Sequence, residues 1–312
     1  MKIVLNMEPL LYSEEAKKLW CKEKFEYFEG NWNRYKSNKV LKKAEVIIVR
    51  LSKKIDKKIL SCFANLKYII SATTGLDHID LKETSNRGIK VFSLKNETNF
   101  LKTIPSTAEH TWALLLSLAR KIPEASNDVR LGNWKRDNFR GVQLKNKSLG
   151  IIGLGRVGNQ VASFAEIFQM KVNYFDPYVT TKKRYNKFTN VEELLAQSDF
   201  ISVHIHLNEK NFHFLNKSRL SHVKKGTYFI NTSRGNVWNE NEVVELYKKG
   251  IIAGIATDVI TDEMGKEIKS PILNLHKKLK KNIIVTPHIA GATYEAMWDC
   301  EKFIADLFLK SL

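Results

Sequence analysis

Three polar residues, far apart in the chain, carry the groups that hydride exchange at a carbonyl requires. Arg234 lies in Asn231-Thr232-Ser233-Arg234-Gly235, Glu263 five residues beyond Asp258, and His288 in Thr286-Pro287-His288-Ile289-Ala290-Gly291. A planar guanidinium can clamp a carboxylate and a keto oxygen with its fork of donors. A histidine can protonate a nascent alkoxide near neutral pH, and a neighbouring carboxylate favours its imidazolium form. Taken singly, each residue also has a plain reading: a solvated turn arginine, a surface glutamate, a histidine closing a strand.

A second group of residues has the spacing of a dinucleotide cradle. Gly153-Leu154-Gly155-Arg156-Val157-Gly158 follows the apolar run Leu149-Gly150-Ile151-Ile152 and opens a helical pattern of Val157, Val161, Phe164, Ala165 and Phe168. Gly153 permits a tight turn, Gly155 lets the backbone approach a pyrophosphate, and Gly158 allows close helix–strand packing. The helix start adds free N–H groups and partial positive charge. Asp176 ends the next apolar run, 18 residues past Gly158, where a carboxylate accepts from ribose hydroxyls. A carboxylate there repels the 2′-phosphate of NADP, so the expected cofactor is NAD. Lys182, Lys183 and Arg184 stand close enough to neutralise such a phosphate.

These residues need elements to hold them, and the hydrophobic pattern supplies a consistent set. Residues 2–7, 45–51, 67–72 and 89–94 read as strands, with helical patterns at 13–21 and 55–66. Residues 106–121 read as a long apolar helix opened by a capping box of Ser106 and Glu109, buried between domains or subunits. A second strand series follows at 148–154, 171–175, 200–205, 227–231, 252–256 and 283–286, with a last helix from near Thr293. Alternation of this kind predicts an α/β chain of doubly wound parallel sheets. Arg234, Glu263 and His288 then fall at or beyond C-terminal strand ends, where open α/β sheets bind ligands.

The chain has 312 residues, enough for about two domains, and 43% of them are hydrophobic, which excludes a disordered chain. The net charge of +18 favours an anionic partner. Its basic residues are scattered in pairs such as Lys17-Lys18 and Lys248-Lys249, which argues against nucleic acid. Cys21, Cys62 and Cys300 form no C-x-x-C pair, which fits a reducing compartment. The first residues are not a signal peptide, and no apolar stretch is long enough for a bilayer. A soluble, cytoplasmic protein is expected. His204 and His206 would share a strand face near His213, but no carboxylate or thiolate set completes a metal site.

Together these motifs resemble the D-isomer-specific 2-hydroxyacid dehydrogenase family over nearly the whole chain. The resemblance rests on Ala108-Glu109-His110-Thr111, residues 149–158, Ser202-Val203-His204, 231–235, Ala253-Gly254 with Asp258-Val259, and 286–291. It implies that Arg234, Glu263 and His288 are catalytic and that Asp258 lies beside the nicotinamide carboxamide. Arg156, Val157, His204 and Thr232 join the cofactor-binding residues. Thr74 and Gly75, in the loop Thr73-Thr74-Gly75-Leu76-Asp77, would bind the substrate carboxylate through backbone N–H groups. The implied architecture is a flavodoxin-like substrate domain from residues 1–101 and 288–312, with an inserted Rossmann NAD domain at 102–287 and the site in the cleft. A homodimer through the long-helix segment is the implied state.

Arg50, in Val49-Arg50-Leu51-Ser52, matches an Arg-Ser pair of phosphoglycerate-dehydrogenase-like members, and as a cleft cation it would suit a phosphorylated or dianionic three-carbon acid such as 3-phosphoglycerate. An ordinary strand-end arginine is the other reading. Alternatives are another small 2-hydroxy acid, through hydroxypyruvate, glyoxylate or phosphonopyruvate reduction, and a non-catalytic NAD sensor. Residues 95–102, His206, Asn208, Met264, Thr73 and Thr74 depart from the family pattern.

Overall fold

In the computed structural model, the described residues are all but 1, 23–24, 34–38, 182, 266–267 and 279–280. They form two compact units, Met1–Ile104 with Ala292–Leu312, and Pro105–Gly291.

The first unit runs β1 (Lys2–Asn6), α1 (Glu14–Lys22), β2 (Phe25–Glu29), β3 (Ala44–Val49), α2 (Lys57–Leu60), β4 (Tyr68–Ser71), α3 (Leu81–Asn86), β5 (Lys90–Ser93) and α4 (Thr98–Leu101). Its sheet is wholly parallel in the order β2-β1-β3-β4-β5, the flavodoxin-like winding. Consecutive residues such as Val4-Leu5 and Ile47-Ile48 are buried, as expected of a parallel strand covered on both faces. One face buries Trp20, Phe25, Ile304 and Phe308; the other buries Leu5, Ile47, Leu60 and Ile69.

The second unit continues with α5 (Ser106–Arg120), α6 (Ile122–Arg130), β6 (Ser148–Ile152), α7 (Arg156–Ile167), β7 (Lys171–Phe175), β8 (Asn186–Phe188), α8 (Val191–Gln197) and β9 (Phe200–Val203). It is completed by α9 (Lys217–Leu220), β10 (Thr227–Asn231), α10 (Glu240–Lys248), β11 (Ile252–Thr257), α11 (Pro271–Lys277) and β12 (Ile283–Val285). The last helix, α12 (Tyr294–Lys310), returns to the first unit. The second sheet is also all parallel, in the order β12-β11-β10-β9-β6-β7-β8. With β6 counted as the first strand this is the Rossmann order extended by one strand.

Several local expectations change. The helix expected at 55–66 shrinks to α2, because Asp56 caps it from outside and Ile55 bridges to Ile79. The capping box does not form: Pro105 occupies the N-cap of α5, with no side-chain cap bond. That helix packs onto its own unit, burying Trp112, Leu115 and Leu118 with Leu149, Ile151 and Ala162. Strand β9 stops at Val203, so His204 and His206 lie beyond it rather than sharing a strand face. The short strands β2 and β8, at the sheet edges, escaped the sequence reading. Among the described residues, no helix is long and apolar enough to cross a membrane.

Candidate active site

Six of the second unit's parallel strands end on chemically equipped residues, all at one edge of the sheet. Gly153 follows β6, Asp176 β7, His204 β9, Thr232 to Arg234 β10, Asp258 β11, and Thr286 to His288 β12.

His288 and Glu263 are brought into direct contact, with Nδ1 2.8 Å from Oε1 and both side chains about a quarter exposed. This leaves Nε2 as the ring atom able to serve an outside group. The histidine sits in the left-handed region at φ 56°, a strained conformation for a non-glycine residue. Asp258 holds it there. The Asp258 carbonyl accepts from His288 N at 2.9 Å, and its carboxylate accepts from Ile289 N at 2.9 Å and Ala290 N at 2.7 Å. Thr286 Oγ1 donates to the same carboxylate at 2.5 Å, and His110 Nε2 lies 3.4 Å from it. Burial alone would raise the Asp258 carboxyl, but the bonds from His110, Thr286 and the two amides outweigh it and lower the pKa. The carboxylate expected beside the nicotinamide is thus spent on the turn that presents His288.

Arg234 follows an Asx-type turn in which Asn231 Oδ1 accepts from Ser233 N and Oγ, while Asn231 Nδ2 donates to the Arg234 carbonyl. Its Nη1 donates to the Ser233 carbonyl at 2.7 Å. Gly235 is obligatory here, since a Cβ would lie 2.1 Å from the Ile260 carbonyl carbon. Thr232 is buried and shares a 2.8 Å hydroxyl–hydroxyl bond with Thr111 of α5.

The glycine turn has the form a phosphate cradle needs. Gly153 adopts φ +91° against the His204 carbonyl, and a Cβ on Gly158 would lie 2.1 Å from the Gly153 oxygen. At Gly155 the position of a Cβ is open: apart from its chain neighbours, no atom of the described residues lies within 4 Å. Open space at the N-terminus of α7, flanked by Arg156 and Val157, fits a pyrophosphate. Asp176 is buried, its Oδ2 accepting from Leu154 N and its Oδ1 from Tyr178 N and Val179 N. It ties the turn to β7, and Oδ2, with one bond accepted, keeps a further lone pair for a ribose hydroxyl. Lys182 lies outside the described residues, and Lys183 Nζ is engaged by the Tyr185 hydroxyl at 3.2 Å. His204 Nε2 is 2.7 Å from Ser202 Oγ, and burial pushes the ring's pKa down to about 3. The ring is therefore neutral. Among the described residues, no three His, Cys, Asp or Glu side chains are grouped to hold a metal.

In the first unit, the loop after β4 is stiffened by Thr73 Oγ1, which bonds Ser71 Oγ and the Gly75 carbonyl. No protein acceptor takes the Thr74 or Gly75 N–H among the described residues. Arg50 follows β3 and has a charge partner: its Nη2 lies 2.8 Å from Oε1 of the buried Glu301 on α12, an ion-pair contact without hydrogen-bond geometry, with the guanidinium 5.8 Å from the Tyr12 ring. Burial pushes Glu301 up to about 6, against the opposing pull of Arg50 and the Ser13 N–H. Arg50 thus stands beside a carboxylate of its own unit, as a strand-end arginine with a structural partner. A glutamate inside the apolar stripe of Ala296, Ile304 and Phe308 was the available sequence signal for this pair.

Residues 112–290 match the D-isomer-specific 2-hydroxyacid dehydrogenase NAD-binding domain. The chain is 34% identical over 307 residues to D-3-phosphoglycerate dehydrogenase of Archaeoglobus fulgidus, covering 97% of this chain and 56% of that one. It is 35% identical to glyoxylate reductase of Thermococcus litoralis, covering 87% of this chain and 80% of the relative. The D-lactate dehydrogenase of Aquifex aeolicus, solved with NAD and lactic acid, superposes with a TM-score of 0.83 at 28% identity, over 99% of this chain and 96% of that one. The chain spans about half the length of the phosphoglycerate dehydrogenases it matches. With the family's NAD-binding domain across more than half its length and such identity along nearly all of it, the chain belongs to the D-isomer-specific 2-hydroxyacid dehydrogenase family.

Proposed function

We propose that the protein is an NAD-dependent dehydrogenase interconverting a small D-2-hydroxy acid and its 2-keto acid. The observation that carries this reading is the 2.8 Å His288–Glu263 pair, set on the same sheet edge as the glycine turn and Arg234. The turn at Gly153, Gly155 and Gly158 and the start of α7 would hold the pyrophosphate, with Asp176 toward the ribose. When bound, NAD supplies the group that exchanges hydride with substrate C2. Arg234 orients the carboxylate and carbonyl oxygen. His288 delivers a proton from Nε2 to the alkoxide during reduction and removes it during oxidation. Glu263 stabilises the imidazolium and fixes the ring's orientation.

The substrate's charge is the finer question. A phosphorylated three-carbon acid, supported by relatives named D-3-phosphoglycerate dehydrogenase, would use Arg50 for its second anionic group. The Arg50–Glu301 pair supports a monoanion instead, as taken by relatives named glyoxylate reductase and hydroxypyruvate reductase. We take the monoanion.

The test follows NADH oxidation with glyoxylate, hydroxypyruvate, pyruvate, 2-oxoglutarate, phosphonopyruvate and 3-phosphohydroxypyruvate. Glyoxylate or hydroxypyruvate should lead in kcat/KM, and His288→Ala should lower kcat at least about a hundredfold. A lead by 3-phosphohydroxypyruvate that Arg50→Ala abolishes would restore the dianionic reading. NADH binding without turnover of any keto acid would favour a non-catalytic NAD sensor.

A further inference from the structure

Glu240 is the first residue of α10, six positions after Arg234, and it is 3% exposed. Its carboxylate reaches away from its own helix and holds both ends of one loop. Oε1 accepts from Thr261 N at 2.7 Å, where the loop begins. Oε2 accepts from Ser270 Oγ at 2.6 Å and from Ile272 N at 3.5 Å, where the loop ends and α11 starts. Ser270 is itself fully buried as the N-cap of α11. Between these anchors lies Glu263, whose Oε1 is 2.8 Å from His288 Nδ1. The neighbouring turn adds a second constraint, because Gly235 packs against the Ile260 backbone just before the loop.

A loop glutamate with a quarter of its side chain exposed loses rotamer freedom when it is held against a histidine, so something must fix its backbone. Asn239 already caps α10 through Asn241 N and Glu242 N, so Glu240 is not needed for that cap. Its partners are neutral donors from the loop, and a buried carboxylate in this setting is costly unless the bonds it makes are kept. We propose that Glu240 is a positioning residue that ties down Thr261 and Ser270, on either side of Glu263 in the chain, and thereby holds Glu263 against His288. The inference rests on the catalytic reading of that pair. It joins Arg234, Glu240 and Glu263 into one continuous support, so a displacement at the start of α10 reaches the proton-transfer group.

Glu240→Gln keeps the shape of the side chain but replaces one acceptor oxygen with an NH2, which cannot accept the Thr261 or Ile272 N–H. In that variant kcat should fall about ten- to a hundredfold while the KM for NADH stays unchanged. The alkaline limb of the kcat/KM profile for reduction should move to lower pH, as in Glu263→Gln. The double variant should lose no more than Glu263→Gln alone, since both substitutions break one linkage. Ser270→Ala, which removes only the Oε2 arm, should show the same changes at smaller size and serves if Glu240→Gln does not fold. A His288 ring resonance followed by NMR should move and broaden in Glu240→Gln relative to the unsubstituted protein, with or without turnover. That readout separates the clamp from the activity. An unchanged ring resonance and profile, or losses that add to those of Glu263→Gln, would reduce Glu240 to support of the fold.

Discussion

At the residue scale, what distinguishes the site is which charges are already committed. Asp258 is held ionised by its donors, Arg50 is neutralised by Glu301, and His204 is kept neutral by burial. The last of these has a measurable consequence. A ring with its pKa pushed from 6.5 to about 3 stays unprotonated when folded, whereas the unfolded chain takes up a proton below 6.5. In that window the unfolded state binds more protons, so stability falls as pH falls, by at most about 1.4 kcal/mol per pH unit. Between pH 7 and pH 5 the contribution is about 2 kcal/mol. Urea unfolding at the two pH values should show His204→Gln losing less stability on acidification than the unsubstituted protein, by about that amount. An equal loss in both would mean that the ring is solvated and titrates normally. The chemical types at Arg234, Glu263 and His288 were legible from sequence because each follows a strand that the pattern marks. The partners that commit the other charges were not. Glu301 lies 251 positions from Arg50, and only the return of α12 to the first sheet brings them together.

At the element scale, the β6–α7 turn separates packing from binding within six residues. Gly158 touches the Gly153 carbonyl, so Gly158→Ala drives a methyl into backbone and should cost about 1–3 kcal/mol of stability. Gly155 faces open space with φ −71°, a conformation open to alanine. Gly155→Ala should therefore melt within a degree or two of the parent while NADH binding, read by fluorescence titration, weakens at least about tenfold. A Gly155→Ala protein that binds NADH normally would show that the pyrophosphate does not approach this turn. The same region shows what sequence patterns carry well. Long apolar runs such as Leu149 to Ile152 and the glycine spacing fix strand, turn and helix together, because local conformation and burial demand the same thing. Where the two compete, the pattern misleads. Ile55 has helical spacing with Ile59 but pairs with Ile79, and Asp56 starts α2 after it. Ser106 and Glu109 have capping-box spacing, yet Pro105 takes the cap position. Strand β2 carries only five residues with one fully buried, at a sheet edge, which leaves little signal to read.

At the scale of the whole molecule, the second unit leaves apolar surface that its own core does not use. Helix α6 has no buried residue, yet it carries Ile122 and Val129 seven positions apart, each about half exposed. Leu131 and Trp134 follow at 72% and 87% exposure. Ile167 and Phe168 stand in the wall of a nearby groove of about 850 Å³, together with Leu116 and Val142. Scattered apolar side chains are ordinary, but a helix whose apolar side chains stay about half exposed is a docking surface in waiting. We propose that a second copy of the chain covers it, which is the assembly the family resemblance implies. The +18 charge does not favour this association at long range, so burial of the apolar patch must carry it, with a total interface above about 1,000 Å². Light scattering on the purified protein should give a mass twice the 36.0 kDa of the chain, independent of salt between low and moderate ionic strength. Leu131→Glu with Trp134→Glu places two carboxylates in the patch and should yield a folded monomer. Because every strand-end residue of the proposed site lies at the sheet edge rather than on α6, that monomer should still bind NADH. A monomeric parent protein, or a dimer untouched by both substitutions, would assign the patch to something other than self-association.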